Sequence, residues 1–380
     1  MKKVLVGLSG GVDSAVAAWL LKEQGYDVTC AFMRNWDSMA NEDFAGNPTL
    51  NDDVCPQEAD YHDAQAVAEK LGLELLRIDF VKEYWDDVFK TFLAAYRVGE
   101  TPNPDILCNK YIKFNTFMSF ARSRGFETVA TGHYARTGTE NGVPVLMKAD
   151  DRNKDQSYFL AEIDRNVLKD VIFPLGSIAK PEVRRIAEQL DLSVAKKKDS
   201  TGICFIGERQ FRQFLSNYLP MKPGKIINIA DHRTVGTHKG VMYYTIGQRK
   251  GLDIGGIGPF YVCGKDVEKN ELYVTDEAHQ DWLYSDSCIV EAYNTMAERA
   301  LPLACAAKFR YRQPDQPVTI YPLDDNRIEV RFKEPVRSVT PGQEAVIYDG
   351  DILIGGGRIA GVYKNGSDLM EAVRAEGYSE

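Results

Sequence analysis

The sequence predicts an α/β protein in which a doubly wound parallel sheet precedes a small, mostly β central domain and a C-terminal β-barrel. Three patterns indicate this order. Apolar runs alternate with amphipathic helical segments over residues 1–209, short strands punctuated by Gly and Pro follow over 210–283, and evenly spaced alternating strands fill 284–366. Residues 367–380 are expected to form a tail that frays.

Composition and charge are those of a globular protein without a membrane partner. The 380 residues are 44% hydrophobic and 27% charged, and no apolar run is long enough to span a bilayer. The first residues resemble a strand and not a signal peptide, so we expect a cytoplasmic protein. Seven cysteines, an odd number, argue against a disulfide framework, and the net charge of −9 restricts any nucleic-acid contact to local basic strips.

Residues 2–21 predict a strand, a glycine turn and a helix. Lys2–Leu8 is rich in Leu and Val, and apolar residues recur at helical spacing from Val12 onwards. The Ser9–Ser14 turn between them places backbone N–H groups at a helix N-terminus, where they bind anions. Its glycines let a phosphate approach the backbone, its serines add hydroxyl donors, and Asp13 would hold a magnesium ion that bridges phosphates.

The turn is not one of the two best-known phosphate-binding loops. No Lys follows Gly11, as a Walker loop requires, and the dinucleotide fingerprint G-x-G-x-x-G is absent here. The remaining pattern, S-G-G-x-D-S at a strand-to-helix junction, resembles that of the PP-loop ATP pyrophosphatases. The resemblance implies an enzyme that cleaves ATP between its α- and β-phosphates and activates a substrate oxygen as an adenylate.

The chain up to residue 98 continues the alternation of strands and helices. Asp27–Met33 and Glu74–Phe80 predict strands, Ala59–Leu71 and Tyr84–Val98 predict helices, and the polar segment 35–55 predicts a surface loop. The second strand ends at Met33, beside the first strand-to-helix turn. A nucleotide base commonly binds at this position in a doubly wound sheet.

A first candidate thiol follows two closely spaced prolines. The prolines fix a non-helical approach, after which Asp105 is expected to cap the next helix. Cys108 falls in the first turn of that helix, where the helix dipole, Lys110 and Lys113 would lower its pKa. The pattern fits a reactive thiolate and a buried, inert cysteine equally.

Two polar segments farther along are candidates for ligand contact. The strand Thr128–Ala135 breaks at Gly132-His133, at the sheet edge where open α/β folds bind ligands. His133 fits either a donor to a phosphate or base, or a structural histidine. Lys154–Tyr158 mixes charged, amide and aromatic groups that suit base or phosphate recognition, although a solvated loop has the same composition.

A second candidate thiol, Cys204, lies after the predicted helix Pro181–Leu190. It occupies the glycine-flanked loop 202–207, just downstream of the three lysines 196–198. Such a loop makes a thiol accessible, and nearby cations favour its thiolate, although a lysine run alone is typical of a solvated edge. Cys204 is therefore the better candidate for reactivity.

The last 170 residues, approximately, predict one short helix, Phe211–Tyr218, and two sets of strands. The predicted strands are Lys225–Ile229, Val241–Thr245, Phe260–Val262 and Glu271–Val274 in the central domain, and Ser287–Tyr293, Leu303–Tyr311, Val318–Tyr321, Arg327–Phe332, Glu344–Tyr348 and Asp351–Tyr363 in the barrel. On a strand, Lys308, Arg310 and Arg312 would share one face, as a surface that follows phosphates requires. An edge strand protected by charge is the alternative.

Two candidate thiols beside an ATP loop indicate sulfur insertion. Adenylation turns an oxygen into a leaving group, and a persulfide on a cysteine supplies the sulfur. Over nearly its whole length the chain resembles the bacterial tRNA-specific 2-thiouridylases, which place sulfur on C2 of the wobble uridine. The matching segments are Gly7–Ser14, Asn103–Cys108, Thr131–Tyr134, Lys154–Ser157 and Ser200–Gly207.

The resemblance implies a role for each matching residue. The implied ATP contacts are Gly7, Leu8, Ser9, Gly10, Gly11, Val12, Asp13, Ser14, Met33 and Gly132, with magnesium on Asp13. The implied contacts with the target base are Asn103, Pro104 and Asp105, and Asp105 is also the acid/base partner. Cys108 is the implied nucleophile and Cys204 the persulfide carrier, and the two form an alternate disulfide. The implied tRNA contacts are His133, Lys154, Asp155, Gln156, Arg310, Tyr311 and Gln343.

The resemblance also implies two partners, tRNA and a persulfide donor such as a cysteine desulfurase or a sulfur-relay protein. Two alternatives predict different behaviour. Another PP-loop adenylating ligase, for example one that amidates a small metabolite, would keep full activity after Cys204→Ser and need no tRNA. A non-catalytic RNA-binding protein with a vestigial ATP site would bind tRNA without converting ATP to AMP.

Overall fold

The computed structural model describes residues 2–50, 52, 55–199, 202–204, 206, 209–255 and 258–377. Ser200, Thr201, Phe205 and Gly207, which belong to the motif around Cys204, lie outside the described residues. Strands β1 to β7 are Lys3–Gly7, Asp27–Arg34, Glu74–Asp79, Thr128–Ala130, Ala135–Glu140, Val143–Lys148 and Val171–Ile172. Five of them form a parallel sheet in the order β3-β2-β1-β4-β7, which confirms the predicted doubly wound fold.

The strand order positions the glycine turn. The chain passes from β1 outwards to β2 and β3 on one side, then returns to add β4 and β7 on the other. The order in which strands are added therefore reverses between β1 and β4, although all five strands are parallel. The turn after β1 lies at this reversal, where open α/β sheets bind ligands. Along β1, Val4 and Val6 pack on one face of the sheet and Leu5 on the other, as the two-residue period of a strand dictates.

Helices cover both faces of the sheet. The α-helical and π-helical segments of this domain are Val12–Glu23, Pro56–Leu71, Val81–Glu83, Tyr84–Phe89, Lys90–Arg97, Pro104–Cys108, Asn109–Thr116, Phe117–Ser123 and Lys180–Gln189. Short 3₁₀ turns occupy Ser157–Leu160 and Arg165–Asp170. Tyr84–Phe89 and Asn109–Thr116 have the wider π-helical turn, which recurs at functional sites. Asn109–Thr116 directly follows Cys108. Within the described residues, no helix has the length and apolar character needed to cross a membrane.

The central domain is a four-stranded sheet in the order β10-β11-β8-β9. These strands are β8 Gly224–Asn228, β9 Thr234–His238, β10 Tyr261–Asp266 and β11 Glu271–Thr275, and the helix Phe211–Ser216 precedes them. The strand predicted over Val241–Thr245 is wrong, since Val241–Tyr243 is a 3₁₀ turn. Gly240 precedes this turn at φ +151°, and the Tyr243 hydroxyl donates to the Leu219 carbonyl. Side-chain contacts, and not pairing with a neighbouring strand, therefore hold this apolar segment in place.

The C-terminal domain is a closed antiparallel barrel, as predicted. Its six strands are β12 Tyr284–Thr295, β13 Leu303–Lys308, β14 Gln316–Pro322, β15 Ile328–Arg337, β16 Glu344–Asp349 and β17 Ile352–Lys364. They run in the order β12-β15-β14-β13-β16-β17, and pairing of β17 with β12 closes the ring. The β5–β6 hairpin of the first domain also pairs with β17, between Met147 and Ile352, which ties the barrel to the parallel-sheet domain.

The basic strand face predicted at Lys308, Arg310 and Arg312 is wrong. β13 ends at Lys308, and the chain turns there because Gln313 accepts from the Phe309 N–H and donates its own N–H to the Arg310 carbonyl. The Arg310 guanidinium points inwards and donates to the Ile246 and Ser338 carbonyls at 2.7 and 3.1 Å. It therefore joins the barrel to the central domain.

The predicted fraying of the tail is also wrong for its first part. A short strand, β18 Ser367–Asp368, pairs with β17 and is followed by the helix Leu369–Glu376. Asp368 caps that helix by accepting from the Met370 and Glu371 N–H groups. Val373 is fully buried against the barrel and β10, so apolar packing holds a segment that its terminal position suggested would be mobile.

Candidate active site

The Ser9–Ser14 turn is shaped by its glycines and closed by its serines. Gly10 has a φ of +74°, and a Cβ there would lie 2.9 Å from the Asp60 carbonyl carbon and closer still to its oxygen. The Ser14 hydroxyl accepts from the Ser9 N–H and donates to the Gly11 carbonyl, both at 3.1 Å. A Cβ on Gly11 would meet only the Ser9 hydroxyl, at 3.5 Å. The space in front of the helix N-terminus is therefore open.

Two other predicted ATP contacts lie beside this turn. A Cβ on Gly132 would lie 2.8 Å from the Ser14 nitrogen, so only glycine lets the end of β4 approach the helix so closely. The Met33 methyl group would be 3.4 Å from a Cβ on Gly7. Met33, Gly132 and the turn thus surround one position at the reversal of the sheet.

Asp13 is engaged by two partners. Its carboxylate oxygens accept from the Lys180 ammonium at 2.7 and 2.8 Å, and one also accepts from the Tyr134 hydroxyl at 2.8 Å. Lys180 is also paired with Asp199 at 2.8 Å. An Asp13 carboxylate occupied in this way does not fit the role of a free magnesium ligand, and among the described residues no group of three or more His, Cys, Asp or Glu is placed to hold a metal ion.

Lys180 is not among the site residues that the sequence predicts. It is the first residue of the helix Lys180–Gln189, and its side chain is only 10% exposed. Helix periodicity gives no sign that this position reaches back to the glycine turn. The contact arises because the helix Lys180–Gln189 packs against Val12–Glu23.

The two candidate thiols are brought together. The Cys108 and Cys204 Sγ atoms lie 3.6 Å apart, within S–H···S hydrogen-bond distance. Cys108 is fully buried and Cys204 is partly exposed. The Cys204 N–H donates to Asp105 at 3.1 Å, and the Tyr84 hydroxyl donates to the Cys204 carbonyl at 2.8 Å. Two neighbouring helices therefore fix the backbone at Cys204.

Asn103, and not Asp105, caps the helix that carries Cys108. The Asn103 side chain accepts from the Asp105 N–H at 3.1 Å, whereas we predicted Asp105 as the cap. Pro104 is the first residue of the helix and has no N–H, which makes Asn103 the natural N-cap. The Asp105 carboxylate is thereby released to meet Cys204.

The two thiols differ in acidity. Burial raises the pKa of Cys108 well above its ordinary value, so the thiolate predicted from its place in the helix is not favoured there. The pKa of Cys204 is lowered, first by a hydrogen bond with Cys108 and then by the charge of Lys113. Burial raises the pKa of Asp105, an effect that Lys113 and the Cys204 N–H partly offset. Cys204 is therefore the more acidic thiol of the pair.

Lys110 and the lysine run 196–198, which the sequence predicted to lie near the two thiols, have other partners. Lys110 pairs with Glu162 at 2.8 Å, away from the sulfurs. Within the run 196–198, Lys197 donates to the Gly10 carbonyl at 3.0 Å and pairs with Asp60 and Asp63, while Lys196 and Lys198 are exposed. The cation predicted near Cys204 therefore comes from Lys113 and not from the adjacent run.

His133 is held by contacts within the protein. Its Nδ1 lies 2.8 Å from the Thr131 hydroxyl, and its ring packs between Phe114 and Phe173. Burial, followed by the charge of Lys113, lowers the pKa of His133 well below its ordinary value, so the imidazole is neutral. The charge of Lys113 therefore acts on the pKa of His133 as well as on those of the two thiols.

Comparison with known proteins identifies the family to which the chain belongs. Residues 2–208 match the family model described as tRNA methyl transferase HUP domain, residues 212–276 the tRNA methyl transferase PRC-barrel domain, and residues 285–359 the aminomethyltransferase beta-barrel domain. The tRNA-specific 2-thiouridylase MnmA of Metamycoplasma arthritidis is 54% identical over 367 residues, covering 96% of this chain and 98% of that protein. The chain belongs to the tRNA-specific 2-thiouridylase family.

Other relatives with the same name extend this agreement to more distant bacteria. The protein of Mycoplasma capricolum is 50% identical over 373 residues, covering 96% of this chain and all of that protein. The protein of Listeria monocytogenes is 50% identical over 370 residues, covering 97% of each chain. The match to the 2-thiouridylase family therefore extends through all three parts of the fold.

The tRNA contacts implied by the 2-thiouridylase resemblance stay predictions, and several of these side chains already have protein partners. Lys154 pairs with Asp199 at 2.8 Å, and the Gln156 amide oxygen accepts from the Tyr134 N–H at 3.0 Å. Asp155 is buried and accepts from the Ala149 and Ser157 N–H groups. These contacts hold the 154–157 segment in place.

Two barrel residues with the same implied role lie against the first domain. The Tyr311 ring packs on Phe159 with 4.4 Å between centroids, and the Gln343 amide donates to the Thr101 carbonyl at 2.6 Å. Gln343 thus contacts the segment that leads into Asn103 and Cys108. The barrel is anchored directly to the part of the 2-thiouridylase site that holds the first thiol.

A buried ion pair anchors the chain just after the Cys204 loop. Asp43 and Arg209 have side chains 0% and 4% exposed, and Arg209 donates to Asp43 at 2.8 and 3.0 Å. We expect Asp43→Ala to lower the free energy of unfolding by about 3–5 kcal/mol, because removing one partner of a buried ion pair is strongly destabilising. Chemical denaturation measures the loss.

A matched control for Asp43→Ala is Asp86→Ala. Asp86 pairs with Lys82 and Lys90 on an exposed helix face, where the charges are solvated, so its removal should cost far less. Equal losses from the two variants would contradict the anchoring role of Asp43.

Proposed function

We propose that this chain transfers sulfur to C2 of the wobble uridine of tRNA, after ATP has converted the C2 oxygen into an adenylate. The observation that carries the proposal is the 3.6 Å separation of Cys108 and Cys204 in the domain that holds the glycine turn. Amidation by a PP-loop ligase needs neither thiol. Two thiols in contact, one to carry a sulfane sulfur and one to resolve the persulfide, are what this sulfur transfer requires.

ATP is a substrate of this reaction, and the glycine turn fits it. The helix N-terminus faces open space at Gly11, and Gly10 and Gly132 let the Asp60 carbonyl and the Ser14 backbone approach closely, which gives the turn its shape. We assign the triphosphate to the Gly7–Ser14 turn and the nucleoside to Met33 and Gly132. Magnesium at Asp13 remains a prediction that Lys180 and Tyr134 do not favour, and we assign it no step.

Sulfur transfer then follows from the two thiols. A persulfide anion on Cys204 attacks C2, which forms the C2–S bond and breaks the bond to AMP. Cys108, after losing its proton, attacks the Cys204 Sγ, and the electrons of the broken S–S bond stay on the sulfur bound to C2. The products are 2-thiouridine and a Cys108–Cys204 disulfide. Asp105 is assigned the acid/base role because its raised pKa suits a carboxyl that accepts and returns protons.

Two partners outside the chain complete each turnover. A dithiol reductant must reopen the disulfide, and a persulfide donor, such as a cysteine desulfurase or a sulfur-relay protein, must reload Cys204. On a body with a net charge of −9, tRNA would be held by local basic strips, so binding should weaken steeply with salt. Access to C2 would require the uridine to leave its stack.

The decisive assay incubates tRNA with the protein, ATP, magnesium, a reductant and a persulfide source, and analyses the nucleosides by mass spectrometry. We expect 2-thiouridine to form only when ATP is present, with AMP released alongside it. AMP formation without tRNA, together with an amidated small molecule, would instead indicate a PP-loop ligase. Binding of tRNA without AMP would indicate a non-catalytic RNA-binding protein.

A further inference from the structure

The glycine turn contains no lysine of its own, but a lysine from a separate helix reaches it. Lys180 begins the helix Lys180–Gln189, and its ammonium lies 2.7 and 2.8 Å from the two carboxylate oxygens of Asp13, within the Ser9–Ser14 turn. The Lys180 side chain is largely buried. A Walker loop carries its phosphate-binding lysine within the loop itself. Here a lysine 167 residues farther along the chain brings a positive charge to the turn.

Lys197 also approaches the turn, but its carboxylate partners lie outside it. Its ammonium donates to the Gly10 carbonyl at 3.0 Å. It pairs with Asp60 and Asp63, at 2.7 and 2.6 Å, which belong to the helix Pro56–Leu71. Lys197 therefore compensates the charge of that helix and not the charge within the turn.

Asp199, the second carboxylate partner of Lys180, does not depend on this lysine. Asp199 lies 2.8 Å from Lys180, but it also pairs with Lys154 at 2.8 Å and with Arg184 at 2.5 Å. Among the ion pairs of the described residues, Asp13 has Lys180 as its cation. The Lys180 ammonium is therefore needed mainly by the carboxylate within the turn.

A triphosphate bound at this turn would meet the Asp13 carboxylate as well as the helix N-terminus. Like charges a few ångströms apart repel strongly where little water screens them. The ammonium beside Asp13 opposes this repulsion, and the flexible lysine side chain lets it turn towards a phosphate. The Tyr134 hydroxyl, which donates to Asp13 at 2.8 Å, would then keep the carboxylate in place.

We propose that Lys180 is a further ATP-binding residue: its ammonium contacts the triphosphate at the glycine turn and has the role that a loop lysine has in a Walker loop. The proposal rests on the proposed function only for the use of ATP, and it needs neither tRNA nor the two thiols. It also accounts for the occupied Asp13 carboxylate, because a side chain and not a metal ion carries the positive charge at that position.

The test measures the affinities of the full chain for ATP and for adenosine by titration calorimetry in EDTA, without tRNA. In Lys180→Gln we expect ATP to bind about tenfold or more weakly, as expected for the loss of a charged hydrogen bond. Adenosine should bind unchanged because it carries no phosphate. Lys180→Arg should keep most of the affinity for ATP. Arg185→Gln, which removes an exposed charge paired with Glu182 on the same helix, should leave it unchanged.

A second pair of variants separates contact with the phosphates from exposure of Asp13, because Lys180→Gln also leaves that carboxylate without its cation. Asp13→Asn and the double variant Asp13→Asn, Lys180→Gln differ in the ammonium alone. We expect the double variant to bind ATP about tenfold or more weakly than Asp13→Asn. This pair gives the comparison by itself if Lys180→Gln fails to fold.

The outcomes separate this proposal from the proposed function. Equal affinities for ATP within the Asp13→Asn pair, or an equal loss for ATP and adenosine in Lys180→Gln, would overturn the ATP-binding role even if the wild-type protein thiolates tRNA. A loss confined to ATP and present in both comparisons supports it even if no 2-thiouridine forms. Thermal unfolding of each variant establishes that binding is measured on folded protein.

Discussion

Replacing Cys204 by serine should abolish 2-thiouridine formation while ATP is still converted to AMP. A serine hydroxyl is close to a thiol in volume but cannot hold a sulfane sulfur, so the variant has no persulfide to deliver. The glycine turn to which we assign ATP is formed by the first strand, the first helix and β4, and its hydrogen bonds among the described residues do not involve Cys204. Losses of about 10⁴-fold or more are typical when a covalent nucleophile is removed.

The measurement counts both products in one reaction, 2-thiouridine by nucleoside mass spectrometry and AMP by chromatography. Cys55→Ser is the control, because Cys55 is an exposed cysteine at the start of a different helix and should be dispensable. Thiolated tRNA from Cys204→Ser would remove this residue as sulfur carrier. A parallel loss of AMP would show that adenylation itself needs the thiol, contrary to the separation proposed above.

Gly10→Ala should reduce AMP formation by about a hundredfold, because the turn cannot keep its shape with a side chain at this position. An alanine at φ +74° costs about 1–2 kcal/mol in backbone conformation alone. Its Cβ would also overlap the Asp60 carbonyl, which belongs to a helix backbone and cannot rotate away. The turn must therefore move, and a displacement of about 1 Å in a site that positions reacting groups costs about 10² in rate.

Gly125→Ala isolates the steric part of this effect. Gly125 has a similar φ of +80°, but no atom of the described residues lies within 4 Å of the position its Cβ would take. Both variants therefore carry the conformational cost, and Gly10→Ala also meets an obstacle beside the glycine turn. The rate of AMP release, measured at increasing ATP concentrations, should be reduced in Gly10→Ala and not in Gly125→Ala. Equal rates for the two variants would refute the steric explanation.

Local sequence patterns determined most of the elements and the general position of the site. Strand and helix periods depend on neighbours two to four residues apart, and so the parallel sheet, the glycine turn at its reversal and the closed barrel could all be predicted. The glycine-flanked loop around Cys204 likewise identified the more acidic thiol. The errors arose where packing overrode local preference, at Val241–Tyr243, at Arg310 and in the Leu369–Glu376 helix.

The tertiary structure alone decided which groups meet in the site. Cys108 and Cys204 are 96 residues apart in sequence, and their contact depends on how two helices and a loop pack. The cation that acts on the Cys204 pKa is Lys113 and not one of the lysine run, and it lies in a π-helical segment that periodicity does not reveal. Burial then reversed the acidity expected of Cys108, because the cost of charging a thiol depends on the water it can still reach, and only the folded chain fixes that.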